Sequence, residues 1–139
     1  MGHDNLDIVR KGYDAFGRGD ITTLLTLFDE QIEWISAGPP ELITSGRRTG
    51  RQAVAQFFAA VNDVFEIQRF DPKEFVVQGD RIVVLGSETA RVRATGKVLD
   101  MDWAHAFTLR NGLVTSFHEY TDTAPVVAEL RSAHAATQA

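Results

Sequence analysis

The chain has 139 residues, 44% of them hydrophobic, and carries a formal net charge of -5 at pH 7. This length predicts a single domain over residues 1–139 with an adequate core, and the composition excludes a disordered chain. The sequence has no cysteine, no long basic run and no apolar stretch of membrane-spanning length. These absences exclude disulfides and thiolate metal sites, and they argue against nucleic-acid and membrane partners.

The N-terminal part of the sequence predicts two helices and a strand. Apolar residues follow helical spacing over residues 6–16, behind Asp4 or Asn5 as the cap. A second, short apolar helix is predicted over residues 21–28, and the alternation over residues 31–36 predicts a strand. Because no apolar signal core precedes the first helix, we expect a cytoplasmic location.

The middle of the sequence changes from loop to helix to strands. Residues 37–50 are rich in Gly, Pro, Ser and Thr without periodicity, which is typical of a functional lid. Helical spacing returns over residues 52–64. Strands are predicted over residues 65–78 and 81–94, and Pro72 in the first of them indicates a bulge or an edge position.

The stretch over residues 97–122 predicts a long β-hairpin that turns at Asn111 and Gly112. Alternation along its first arm places His105 in a row of aromatic side chains, on the opposite face from small and polar residues. Because imidazole titrates near neutral pH, His105 is a candidate for acid–base chemistry. A final helix is predicted over residues 123–136.

Two registers of this hairpin are compatible with the sequence, and they give different sites. A two-residue turn places His118 opposite His105. A three-residue loop, with Gly112 in a left-handed bulge, places Phe117 opposite His105 and brings Glu119 to the same face. In the first register the two histidines could contact one metal, but no third ligand has a recognisable spacing, so we expect no metal.

The order of predicted elements is helix, helix, strand, helix, four meandering strands and a helix. Helices gathered on one face of a mostly antiparallel sheet form an α+β arrangement. A strongly curved sheet closed by such helices forms a cone with an interior. We therefore expect one interior pocket of roughly 300–1,000 Å³.

Short motifs add information beyond periodicity. They are YDAFGRGD at 13–20, LFDE at 27–30, IEW at 32–34, GRQAV at 50–54, and RNG at 110–112 followed by FHEYTD at 117–122. Together they resemble the SnoaL-like branch of the NTF2-like, or ketosteroid-isomerase-like, superfamily over nearly the whole chain. The resemblance implies an NTF2-like cone, in which helices pack on the concave face of a curved, mostly antiparallel sheet.

The resemblance also implies site residues. In polyketide cyclases of this branch a histidine and an acid on the last two strands do acid–base work, and the matching positions are His105 and Glu119, although the cyclases typically have aspartate at the second. The bulged register, with both residues inside, is favoured. Other branches match less well, because ketosteroid isomerases have one aspartate where this chain has Ile35 and Ser36, and another at about the position of Ala104. Residues 91–93 lack the acid that epoxide hydrolases need.

Two functions from different classes follow as hypotheses. The first is a small-molecule enzyme of polyketide-cyclase-like or isomerase/lyase-like type, acting on an apolar, carbonyl-bearing metabolite. It would use His105 and Glu119 in acid–base chemistry, without a metal or organic cofactor. The second is a non-catalytic ligand-binding or dimerisation domain. The substrate-binding wall is predicted to contain Tyr13, Trp34, Trp103, Phe107 and Phe117.

The interior distinguishes these hypotheses. An open apolar cavity at His105 favours the enzyme, whereas a cavity filled by rings such as Phe57 and Phe58 favours the binding domain. The outer sheet face carries small residues such as Ala104, and the resemblance implies a two-fold homodimer through this face. Glu88 is expected on a solvated, ion-paired face, with orientation of an anionic substrate as the alternative.

Overall fold

Four helices and six strands make up residues 4–138, the part of the chain that the computed structural model describes. Helices gather against one face of the sheet, which confirms the predicted α+β class. None of the helices in this part is long and apolar enough to cross a membrane. The elements are α1 (Asn5–Gly17), α2 (Ile21–Thr26), β1 (Phe28–Ser36), β2 (Gly46–Thr49), α3 (Arg51–Val64), β3 (Phe65–Gln78), β4 (Arg81–Val92), β5 (Val98–Arg110), β6 (Leu113–Thr121) and α4 (Ala124–Gln138).

The first helix begins where the sequence predicts. The side chain of Asp4 accepts a hydrogen bond from the backbone N–H of Leu6 at 3.0 Å, which satisfies one of the free donors of the first turn. The helix ends at Gly17, and Gly19 adopts a left-handed φ of 71°. Its apolar stripe, which includes the buried Val9, packs over the sheet and forms one wall of the core.

Two boundaries differ from the prediction. Helix α2 ends at Thr26, because Phe28 is buried in the core and already belongs to β1, where it pairs with Val114. The segment 37–50 is not wholly a structureless lid, since its last residues form β2 beside β1. Glu33 of β1 holds this short strand, because its carboxylate accepts hydrogen bonds from the side chains of Arg47 and Thr49, both at 3.2 Å.

The six strands form one sheet in the order β2-β1-β6-β5-β4-β3. Strands β3 to β6 run as an antiparallel meander, and β1 joins β6 in parallel. Strand β3 lies at the edge, and its register with β4 shifts after Pro72, as expected for a residue without a backbone N–H. The sheet is curved, so its concave face and the helices enclose an interior.

The hairpin of β5 and β6 adopts neither predicted register in full. The turn has two residues, Asn111 and Gly112, with left-handed φ angles of 53° and 77°, and Arg110 pairs with Leu113. One extra residue, Thr115, then bulges out between Val114 and Ser116.

This bulge determines which side chains of β6 face the interior. Beyond it, Phe117 pairs with Phe107 and Glu119 pairs with His105. The interior face is therefore the one expected from the three-residue loop, although the pairing partners differ. The hydroxyl of Thr115 donates a hydrogen bond to the backbone oxygen of Thr108 at 3.2 Å, which ties the bulge to the partner strand.

The indole ring of Trp103 on β5 lies over Gly86 of β4, where there is no room for a side chain. Trp103 pairs with Gly86, and a Cβ added there would overlap the indole ring and the backbone oxygen of Asp71. The indole is 3% exposed and stacks on Phe70 at a centroid distance of 4.9 Å. The small residue on β4 thus permits the large ring on β5.

Candidate functional site

A cavity of about 120 Å³ lies between the helices and the concave face of the sheet. It is smaller than the predicted 300–1,000 Å³, because aromatic rings such as Phe57, Phe58 and Phe70 occupy much of the interior. Its walls are mostly apolar. The polar or titratable residues that line it are Tyr13, Thr44, Glu88, His105 and Glu119.

Three of these residues form a hydrogen-bonded chain. The hydroxyl of Tyr13 on α1 lies 2.7 Å from Nδ1 of His105, and Nε2 of His105 lies 3.1 Å from Oε2 of Glu119. Because a carboxylate only accepts hydrogen bonds, Nε2 carries the imidazole proton and donates it to Glu119. Nδ1 then accepts from the Tyr13 hydroxyl, so all three partners are matched.

The protonation of this chain follows from its burial. His105 is 5% exposed, and burial lowers its pKa against the opposing effect of the Glu119 carboxylate. Burial and the charge of Glu119 both raise the pKa of Tyr13 far above its usual range. At neutral pH the imidazole and the phenol are therefore both uncharged, which agrees with the hydrogen-bond directions.

Aromatic stacking fixes the imidazole plane. Trp103 stacks on His105 at a centroid distance of 3.9 Å and an interplanar angle of 12°. The rings of Tyr13 and His105 are parallel within 8°. The imidazole is thus held by its two hydrogen bonds and by contact between rings, so its nitrogens keep one orientation in the cavity wall.

The predicted binding residues occupy two kinds of position. Tyr13, Trp34, Phe107 and Phe117 line the cavity, and Trp34 stacks on Phe117 at 3.8 Å. Trp103 is buried but does not line the cavity, because it packs between His105 and Phe70.

Glu88 lines the cavity, so its predicted place on a solvated, ion-paired face is wrong. The nearby Arg91 and Arg93 contact Glu66 instead, at 3.7 and 3.9 Å. Burial and the charge of Glu119 raise the pKa of Glu88 to about 7. The signal was present in the sequence, because the alternation of β4 puts Glu88 in phase with buried residues such as Val84.

The second histidine of the hairpin lies elsewhere. His118 pairs with Ala106 on the face opposite to His105, and its Nδ1 lies 3.1 Å from the Tyr120 hydroxyl. The register that would bring the two histidines together is therefore wrong. Within residues 4–138 no group of three or more His, Asp or Glu side chains could hold a metal ion.

Comparison with known proteins gives a family match and close structural similarities. A family profile described as a SnoaL-like domain matches residues 9–117. An NTF2-like protein from Burkholderia xenovorans is 38% identical, covers 89% of this chain and 93% of its own, and has a TM-score of 0.80. An NTF2-like protein of unknown function from Burkholderia pseudomallei is 28% identical, covers 89% of this chain and 95% of its own, and has a TM-score of 0.82.

A third similar structure was determined with a small organic molecule. TerC, co-crystallised with polyporic acid, is 28% identical, covers 94% of this chain and 98% of its own, and has a TM-score of 0.80. No curated protein sequence matches the chain. The solved structures confirm the predicted NTF2-like fold.

Proposed function

Because the chain belongs to the SnoaL-like family, we propose that it is a small-molecule enzyme with cofactor-free acid–base chemistry. Its substrate is an apolar, carbonyl-bearing metabolite, and the reaction is of the cyclase or isomerase/lyase type. The observation that carries the proposal is the hydrogen-bonded chain Tyr13–His105–Glu119 in the wall of an apolar cavity. The co-crystallisation of TerC with polyporic acid supports a small organic ligand in this fold.

On this proposal each member of the hydrogen-bonded chain has a role. The hydrogen bond from His105 engages Oε2 of Glu119, so the other carboxylate oxygen is available to remove a proton from the carbon next to a substrate carbonyl. His105 orients the carboxylate and supports its charge through Nε2–H. Tyr13 keeps the imidazole in the tautomer that does so, because its hydroxyl donates to Nδ1.

The same groups can complete a turnover without another reactant. Glu119 gains the proton as the substrate becomes an enol or enolate, and it returns that proton at a second carbon in an isomerisation. In a cyclisation, the carbon that lost the proton bonds to a second carbonyl carbon of the substrate, and Glu119 passes its proton to the oxygen of that carbonyl. In an elimination, the carbon–leaving-group bond breaks and Glu119 passes its proton to the departing group. The apolar wall excludes water from the intermediate, which favours transfer between substrate and protein.

Proton exchange provides the direct test. The protein is incubated with cyclic ketones in D₂O, and NMR follows the loss of the protons next to the carbonyl. We expect exchange above the buffer rate with the wild type and exchange close to the buffer rate with Glu119→Gln. The matched control, Glu30→Gln, changes an exposed glutamate and should exchange as the wild type does. Equal rates for wild type, Glu119→Gln and buffer would contradict the enzyme proposal.

A non-catalytic ligand-binding or dimerisation domain is the second candidate, and the aromatic rings that fill much of the interior favour it. A volume of about 120 Å³ is below the range of roughly 300–1,000 Å³ that is usual for ligand pockets. Mass spectrometry of the purified protein distinguishes the two. A single unchanged compound that co-purifies, together with no proton exchange, would support the binding domain.

We also propose that two copies pair through the outer sheet face. Ala104 and Ala106 are small residues on that face, and the exposed Leu85 and Tyr120 add apolar area at 39% and 54% exposure. Small side chains let two sheets approach closely in a two-fold dimer. Light scattering should give twice the chain mass of 15.4 kDa, and Ala106→Arg should reduce it to one chain. A wild-type monomer would contradict the proposal.

A further inference from the structure

Glu88 shares the cavity with the catalytic candidates but has none of their contacts. It lies on β4, lines the same cavity as His105 and Glu119, and is half-buried. Within residues 4–138 it has no hydrogen bond and no ion pair to a protein side chain. A half-buried carboxyl group at a cavity wall without a protein partner is placed to meet a ligand.

The charged groups around this carboxyl are few. Helix α1 contributes the uncharged Tyr13, β5 contributes the uncharged His105, and β6 contributes the carboxylate of Glu119. The elements α2, α3 and β3 contribute only apolar residues to the lining, and Phe70 of β3 pairs with Glu88. No Lys or Arg is among the residues described in this lining.

This distribution favours the protonated form of Glu88. Glu119 accepts a hydrogen bond from His105, whereas Glu88 has no donor and no cation beside it. Burial and the neighbouring charge of Glu119 both disfavour the Glu88 anion. The raised pKa of Glu88, about 7, agrees with this assignment.

We infer that Glu88 is a ligand-binding residue of the cavity, which as a neutral carboxylic acid donates a hydrogen bond to an oxygen of an uncharged, single-ring ligand. This inference rests on the proposed small-molecule function and names the class of ligand. It assigns Glu88 to recognition and Glu119 to proton removal, so a bound carbonyl is held at one acid while the neighbouring carbon meets the other.

Size and charge define the ligand class. The cavity of about 120 Å³ is slightly smaller than an apolar cavity of about 150 Å³ that accommodates one benzene molecule, so the ligand is no larger than a single ring. An anionic ligand would meet Glu119 and the polar end of Glu88 without a compensating Lys or Arg. A neutral ketone presents an acceptor to the acid and apolar surface to the rings.

Three ligands of similar size and different charge test the inference: cyclohexanone, cyclohexanecarboxylate and cyclohexylammonium. NMR titrations at pH 6 and pH 8 measure their binding to the whole protein. We expect cyclohexanone to bind best at pH 6 and several-fold more weakly at pH 8, where Glu88 loses its proton. Glu88→Gln should bind cyclohexanone equally at both pH values, because the amide keeps a donor, and Glu88→Ala should bind it about tenfold more weakly at pH 6.

Infrared spectroscopy gives a readout that needs no ligand. The wild type at pH 6 should show the C=O stretch of a protonated carboxyl group, and Glu88→Gln should lack it, whereas the exposed control Glu30→Gln should keep it. Tighter binding of the ammonium or the carboxylate, a missing carboxyl band, or no binding of cyclohexanone would each overturn the inference. If cyclohexanone binds as expected but its protons do not exchange, the proposed enzyme function fails and the recognition role of Glu88 stands.

Discussion

The two acids of the cavity, Glu119 and Glu88, differ in their partners more than in their surroundings. Both line the same mostly aromatic cavity, and both are half-buried. Glu119 accepts a hydrogen bond from His105, which Tyr13 orients in turn, whereas Glu88 has no donor within residues 4–138. Burial, together with the charge of Glu119, raises the pKa of Glu88 to about 7, and no hydrogen-bond donor offsets this effect at Glu88.

Removal of the imidazole or of its carboxylate should have the largest effect. On the proposed mechanism, His105→Ala and Glu119→Gln each lower the rate of proton transfer by about 10²–10⁴-fold. The double variant should lose much less than the product of the two losses, because the residues act as a unit. Proton-exchange rates for the three variants, with thermal melting as the control for folding, check this. Unchanged rates in both single variants would make these residues packing groups only.

The pH dependence of stability should have opposite signs for the two sides of the cavity. Folding raises the pKa of Glu88 from 4.5 to about 7. Its contribution to the free energy of unfolding is therefore full below pH 4.5 and is lost as the pH rises through 7. Folding lowers the pKa of His105, so its contribution is full above pH 6.5 and is lost as the pH falls below that value.

Replacement of Glu88 should isolate one of these slopes. Glu88→Gln should be more stable than the wild type at pH 8, by up to roughly 2–3 kcal/mol, since one pKa unit corresponds to about 1.4 kcal/mol. At pH 4 the two proteins should be nearly equal. Urea unfolding at both pH values measures the difference. Equal stability at pH 8 would mean that the Glu88 carboxyl group is well solvated in the folded protein.

The packing between β4 and β5 can be disturbed without changing either acid. Gly86→Ala places a methyl group into the Trp103 ring, so the ring must shift, and Trp103 stacks on His105. Overpacking of this kind costs roughly 1–3 kcal/mol. Gly17→Ala is the control, because its new methyl group meets no atom within 4 Å. Comparable unfolding midpoints for the two variants would show that the strands absorb the added carbon.

The smallest effect is expected at the far end of the hydrogen-bonded chain. Tyr13→Phe removes the donor to Nδ1 of His105 but keeps the ring. We expect the free energy of unfolding to fall by about 1–2 kcal/mol and the proton-exchange rate to fall by at most about tenfold. Nitrogen-15 NMR of the imidazole should show the Nε2–H tautomer in the wild type and a mixture in the variant. An unchanged tautomer would mean that Glu119 alone determines the position of the proton.

Much of this arrangement was predictable from local patterns. The alternation of β5 indicated which side chains of that strand share a face with His105, and the capping Asp4 located the first helix. Two features had no local signal. The contact between Tyr13 and His105 joins residues 92 positions apart, and the bulge at Thr115 leaves the hydrophobic pattern on both of its sides intact. Such features depend on how the strands pair and where the helix packs, which single-strand periodicity does not contain.

Glu88 illustrates a different kind of error. Its phase on β4 indicates the interior, whereas a charged residue near arginines is ordinarily solvated, and the structure follows the phase. The apolar neighbours in phase with it were the better guide. A charged residue that continues an otherwise buried alternation is therefore worth treating as a candidate for function, since its burial has a cost that a bound ligand can offset.

The extra residue at Thr115 also bears on how this chain could change during evolution. Strand β6 carries two sets of side chains, one with Phe117 and Glu119 and the other with His118 and Tyr120, and its pairing with β5 places the first set in the interior. Because Leu109 pairs with Val114 and Thr108 with Ser116, loss of the Thr115 codon would close the bulge and leave every pair beyond it unchanged. The chain could therefore lose this residue during evolution and still keep Phe117 and Glu119 in the cavity wall.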